Sequence, residues 1–131
     1  MNGYRAAQIL IIEDDTAVRE GVAKVLSRAG YSVLKSSNGR EGLEILEKEP
    51  CDIVLTDIIM PEMEGIETIT RIAKQYPGLK VVAMSGGGRL GNTDFLKVAS
   101  QIGAVDTIAK PATAKQLLET IEKHLPPFAR P

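Results

Sequence analysis

With 131 residues, 44% of them hydrophobic and 25% charged, the chain has the size and composition of one ordinary globular domain, too short for a second of independent stability and unlike a disordered or fibrous sequence. A formal net charge of −1, with Lys and Arg scattered rather than gathered in a stripe, argues against direct nucleic-acid binding and for protein partners. No apolar run approaches the roughly 20 residues of a membrane span, and the N-terminus lacks a basic-then-apolar secretory pattern, so a cytoplasmic protein without membrane contact is expected.

In chain order, Ile9 to Ile12 is the first short apolar run, of the kind that forms a strand buried on both faces. Val18, Val22, Val25, Leu26 and Ala29 follow at helical spacing. A weaker strand pattern at Tyr31 to Leu34 leads to a stripe of Leu43 and Leu46, and Ile53 to Leu55 is a second strong strand. Ile66, Ile69, Ile72 and Ala73 mark the third helix, Val81 to Met84 the fourth strand, and Phe95, Val98 and Ile102 the fourth helix. Val105 to Ala109 predicts the fifth strand, and the last stripe, Leu117, Leu118, Ile121 and Leu125, stops at Pro126-Pro127. One domain over residues 7–125 and a tail of residues 126–131 are expected. Gly30, Gly78 and Gly103 each stand between a helix and a strand, where positive φ would turn the chain back. Cys51, the single cysteine, reads as a small packing residue.

Five strands alternating with five helices, joined by right-handed crossovers, make a (βα)5 α/β fold. The expected form is a doubly wound parallel five-stranded sheet of flavodoxin-like order 2-1-3-4-5. Ligands bind such sheets beyond the carboxyl ends of the strands, near the point where strand order reverses. The first strand ends in Glu13-Asp14-Asp15, the third in Asp57, the fourth in Ser85, and Lys110 closes the fifth. Each has a bland explanation: Asp15 or Thr16 could cap a helix, and Asp57 could open a turn toward Pro61. Together they resist it, because carboxylates gathered at one edge repel one another unless a cation or basic partner joins them. Mg²⁺, which takes oxygen ligands and keeps several waters, suits Asp14 and Asp57 as direct ligands, with Glu13 acting through a coordinated water.

Ile11-Ile12-Glu13-Asp14-Asp15, Thr56-Asp57-Ile58-Ile59-Met60-Pro61 with Gly65, Met84-Ser85-Gly86 and Ala109-Lys110-Pro111, in that order, resemble the receiver domains of two-component response regulators. The resemblance implies that Asp57 is the phosphoacceptor, forming an acyl phosphate from a phosphohistidine of a sensor histidine kinase or histidine phosphotransfer protein. It implies that Glu13 and Asp14 are the metal-binding acidic pair and that the Ile59 backbone carbonyl completes the metal shell. Lys110 would pair with Asp57 and then with a phosphoryl oxygen, Pro111 would follow a cis bond, and the Ser85 hydroxyl would move onto the phosphoryl group. The protein would be a signalling domain rather than an enzyme, with self-catalysed transfer and slow autodephosphorylation. Its output would lie on the face of the fourth helix, fifth strand and fifth helix.

Two departures from the family stand out. Thr107 occupies the position, three before Lys110, where the family carries Tyr or Phe, and its simplest effect is to loosen the coupling to Ser85. Gly86-Gly87-Gly88-Arg89-Leu90-Gly91-Asn92 makes the fourth loop longer and glycine-rich, suited to closing over the acyl phosphate with Arg89 or to meeting a partner. Met63, Met84 and His124 read as non-functional, His124 as an exposed residue favoured by the helix dipole.

Three rival readings compete. Gly86, Gly88 and Gly91 match a dinucleotide-binding pattern, with Asp106 about 20 residues on, but that Asp precedes the fifth strand and falls on the wrong edge. A haloacid-dehalogenase-like phosphatase would want a second acid where Ile59 stands. An interaction module that is never phosphorylated would not need the full acidic set. With the domain filling the chain, no separate output module is expected, although an excised N-terminal receiver would look the same.

Overall fold

The computed structural model describes residues 6–58, 64–85 and 93–125, with residues 93–96 described by backbone alone. Ten elements alternate: β1 (Gln8–Ile12), α1 (Thr16–Arg28), β2 (Ser32–Ser36), α2 (Gly39–Lys48), β3 (Ile53–Asp57), α3 (Glu64–Gln75), β4 (Lys80–Ser85), α4 (Thr93–Ile102), β5 (Asp106–Ala109) and α5 (Ala114–Lys123). All strand pairs are parallel. Their order is β2-β1-β3-β4-β5, the expected doubly wound sheet with its switch point between β1 and β3.

Alternation along each strand sorts the core into two layers. Ile9, Ile11, Ile53, Leu55, Val82, Met84 and Ile108 face Val22 and Leu26 of α1 and Leu117 and Ile121 of α5. Leu10, Ile12, Val54, Val81 and Ala83 face Leu46 of α2, Ile69 and Ile72 of α3 and Ala99 of α4. Replacing a fully buried Ile69 or Ile72 by Ala would cost about 2–5 kcal/mol. Cys51 packs against the second layer and Met84 is buried in the first, as packing residues should be.

The helices start where their caps allow. Asp15 caps α1 by accepting from the Val18 N–H at 3.0 Å, Asn38 caps α2 through the Glu41 N–H at 2.9 Å, and Thr113 with Gln116 forms a reciprocal capping box on α5.

Several boundaries differ from the sequence reading. β2 extends to Ser36, whose polar end is hidden from an apolar-run reading but stays in register with Ile12. β3 and β4 end at Asp57 and Ser85, the strand ends expected from the sequence. β5 begins at Asp106, while Val105 is 46% exposed. Gly30 (φ 101) and Gly103 (φ 125) adopt the left-handed conformation, but Gly78 does not. The turn before β4 closes through the Leu79 N–H on the Tyr76 carbonyl, 2.9 Å, with Pro77 between them.

Candidate functional site

Glu13 and Lys110 directly follow β1 and β5, and Asp57 ends β3. They continue the alternation of Ile9-Ile11, Ile108 and Ile53-Leu55, the residues that face α1 and α5, so the three polar groups leave the sheet on one side. There the Lys110 Nζ lies 2.9 Å from Glu13 Oε1 and 3.1 Å from Asp57 Oδ2. The carboxylates are nearly sealed, with side chains 1% and 5% exposed, and the lysine is 17% exposed. Burial pushes the Glu13 carboxyl above its usual range, against the pull of the Lys110 ammonium and the Asp15 N–H. Burial also disfavours the Lys110 ammonium, but its hydrogen bonds and attraction to Glu13 and Asp57 prevail, and its pKa rises.

Asp14 is exposed beside them, and one carboxylate oxygen each from Glu13, Asp14 and Asp57 can lie within 4.8 Å of the others. Three hard oxygen donors at this spacing, two sealed and one open to solvent, fit a small divalent cation such as Mg²⁺ and leave a path by which it can enter. Both Glu13 oxygens are engaged, Oε1 by Lys110 and Oε2 by the Asp15 N–H at 3.1 Å. That suits Glu13 to reaching a cation through water.

Asp57 is register partner to Met84. Ser85, buried, lies one step beyond on β4, and its carbonyl receives the Lys110 N–H at 2.7 Å. The Lys110-Pro111 bond is cis. Ile59, Met60, Pro61, Met63 and the loop from Gly86 to Asn92 with Arg89 lie outside the described residues, so the Ile59 carbonyl is not placed.

Gly65 explains how α3 starts so close to this edge. A Cβ there would fall 2.3 Å from the Ile58 carbonyl oxygen and 2.6 Å from that of Asp57, so only hydrogen lets the helix approach the end of β3. Thr107 is half-buried in β5, its N–H on the Asp106 carboxylate at 2.9 Å.

Arg19 escaped the sequence reading. Its Nη1 donates to the Glu13 carbonyl at 2.9 Å. The available signal was a cation near the N-terminus of a helix, where the dipole disfavours one.

His124 corrects an expectation. Rather than standing exposed, it forms the C-cap of α5 with a side chain 15% exposed and its Nε2 2.9 Å from Asp106 Oδ2. Asp106 is the first residue of β5, so this contact lies at the sheet edge opposite Asp57. Burial works against the Asp106 carboxylate, but His124, the Thr107 N–H and Lys123 together hold its pKa below the usual range. The sequence reading missed the pair because its members are 18 positions apart.

The family model of the response regulator receiver domain matches residues 9–122. The chain belongs to this family. It is thus a signalling domain of two-component systems rather than a classical enzyme. Among its relatives, response regulator receiver protein CpdR of Brucella abortus is 36% identical, over 90% of this chain and 96% of its own. Sporulation initiation phosphotransferase F of Bacillus subtilis is 31% identical, over 91% and 94% respectively. The crystal structure of a CheY-like receiver domain protein from Methanospirillum hungatei superposes with a TM-score of 0.81 at 34% identity, covering 91% of this chain and 93% of the other. Among the described residues, no helix of the receiver domain is long and apolar enough to cross a membrane.

Proposed function

We propose that the domain accepts a phosphoryl group onto Asp57 from a phosphohistidine of a sensor histidine kinase or histidine phosphotransfer protein, assisted by Mg²⁺. The observation that carries this reading is the convergence of Glu13, Asp14 and Asp57 within 4.8 Å, two of them already bonded to Lys110. A carboxylate oxygen of Asp57 attacks phosphorus in line, the phosphorus–nitrogen bond breaks, and the imidazole leaves with a proton. Lys110 neutralises Asp57 before transfer and can follow the charge onto a phosphoryl oxygen. The Ser85 hydroxyl, at the next step along the adjacent strand, is the donor that would draw the β4–α4 connection toward the phosphoryl group. Asp14 and Asp57 would hold the cation directly, Glu13 through water, and the Ile59 carbonyl would complete the shell. When bound, Mg²⁺ supplies charge neutralisation for the transferring group. The same groups give slow self-catalysed hydrolysis of the acyl phosphate.

A groove of about 500 Å³ opens beside Lys110 between α1 and α5, lined by Ala17, Gly21, Val25, Pro111 and Leu117 among others. A Cβ on Gly21 would meet nothing within 4 Å, and this open groove is where the donor protein carrying the phosphohistidine would dock. The face of α4, β5 and α5 is assigned to output, with Thr107 loosening its coupling to Ser85.

The test is the intact mass of the protein and of Asp57→Asn after incubation with Mg²⁺ and acetyl phosphate. A gain of one phosphoryl group in the parent alone is expected. A gain in both would place the acceptor elsewhere, and no gain in either from acetyl phosphate or a phosphorylated donor protein would favour an adaptor that works without phosphorylation.

A further inference from the structure

We propose that Arg19 is a positioning residue for the acidic loop, fixing the Glu13–Asp14 peptide and so the pose in which Asp14 meets a divalent cation. This rests on the cation-assisted reading of the site given above. Asp14 is the exposed member of the carboxylate group, and among the described residues no hydrogen bond or ion pair holds its side chain. Among the described residues, only its backbone places its carboxylate.

That backbone is fastened from several directions. The Glu13 N–H donates to the Ser36 carbonyl at 3.1 Å, tying the loop to β2. Glu13 Oε2 accepts the Asp15 N–H at 3.1 Å, which closes the loop over Asp14. The Glu13 carbonyl, part of the peptide unit that leads into Asp14, accepts from Arg19 Nη1 at 2.9 Å.

The guanidinium is itself held. Its Nη2 lies 3.4 Å from Thr16 Oγ1, its Nε lies 3.7 Å from Glu20 Oε2, and Glu20 is bonded in turn to Lys35 of β2 at 2.9 Å. The Arg19 side chain is 16% exposed. A planar fork with several fixed donors serves this geometry; a lysine ammonium at the end of a flexible stem does not reproduce it.

Electrostatics alone would argue against a cation here. Arg19 stands near the N-terminus of α1, where the dipole disfavours positive charge, and its charge repels a divalent ion at Asp14. The two explanations therefore predict opposite signs. If Arg19 acts only through its charge, neutralising it tightens cation binding. If it acts by positioning, neutralising it releases the Glu13 carbonyl, lets Asp14 wander and weakens binding.

The experiment measures Mg²⁺ dissociation constants by titration calorimetry for the parent, Arg19→Met and Arg19→Lys at one pH and ionic strength, with urea midpoints in EDTA to confirm that each is folded. Arg19→Met is expected to bind about 10-fold more weakly or worse, the range for losing a group that orients a metal ligand. Arg19→Lys, which keeps the repelling charge but not the fork, should bind no more tightly than Arg19→Met. Equal or tighter binding by Arg19→Met overturns the proposal, and if that variant does not fold, unchanged binding by Arg19→Lys does so. A parent that binds no Mg²⁺ removes the cation reading itself and this inference with it.

Discussion

Replacing Lys110 by Met retains most of the side chain's length and apolar stem but removes the ammonium 2.9 Å from Glu13 Oε1 and 3.1 Å from Asp57 Oδ2. Two carboxylates that are 1% and 5% exposed then face each other without a counter-charge. Breaking a buried ion pair by deleting one partner costs about 3–5 kcal/mol. Here the site opens to water on the Asp14 side, and Glu13 can relieve part of the repulsion by taking a proton, which moves the expected loss to about 2–3 kcal/mol at pH 7. A divalent cation replaces the missing charge, so saturating Mg²⁺ should recover at least about 1 kcal/mol of the deficit. The folded-state pKa of Glu13 is raised even with Lys110 present, so the folded protein holds that proton more tightly than the unfolded chain. Its contribution is therefore most favourable below the unfolded value of about 4.5 and declines as pH climbs through the folded one. Lys110→Met should carry that decline to higher pH. Urea unfolding of both proteins between pH 5 and 8, in EDTA and in Mg²⁺, measures all three effects. A variant within about 0.5 kcal/mol of the parent in EDTA, or a deficit that Mg²⁺ leaves unchanged, would refute the reasoning.

Gly65→Ala should destabilise the domain by about 1–3 kcal/mol, because the new methyl collides with backbone carbonyls that cannot turn aside. It should also slow phosphorylation of Asp57 in the mass assay, and a neutral result in both would show that α3 shifts freely. Asp106→Asn should cost about 1–2 kcal/mol at pH 7 through weaker bonding to His124 and Lys123. Because the folded-state pKa of Asp106 lies below 3.8, the parent's advantage should be complete above about pH 4.5 and fade as pH falls through the folded value. Urea midpoints at pH 7 and pH 3 decide this, with an undiminished gap at pH 3 counting against it.

Most of the fold was legible because its signals are local. β1, β3 and β4 are short apolar runs rich in Ile and Val, whose length and β-branching suit a strand buried on both faces. The polar strand end Ser36 was not read as strand because its pairing with Ile12 is set by a neighbour distant in sequence. Gly78 misled for the opposite reason: a glycine before a strand permits positive φ but does not require it. At the site, acidic and basic residues at strand ends announced the cluster, since topology alone brings such ends to one edge. Arg19 and the His124–Asp106 pair were out of reach, because each contact depends on where a side chain lies relative to a turn or a second element.

The alternation that places Glu13, Asp57 and Lys110 on one side of the sheet has a consequence for how the chain finds its native pairing. A slip of one position in β1 or β3 would turn the charged end of that strand into the opposite apolar layer, stranding a charge among Leu46, Ile69 and Ile72 and leaving its former partners uncompensated. Apolar runs such as Gln8–Ile12 and Ile53–Asp57, greasy on both faces, would by themselves discriminate weakly between neighbouring alignments. The three ionised groups discriminate strongly. The Glu13–Asp57–Lys110 cluster thus acts as a checksum on strand alignment, and neutralising all three together should yield a domain more tolerant of misaligned forms.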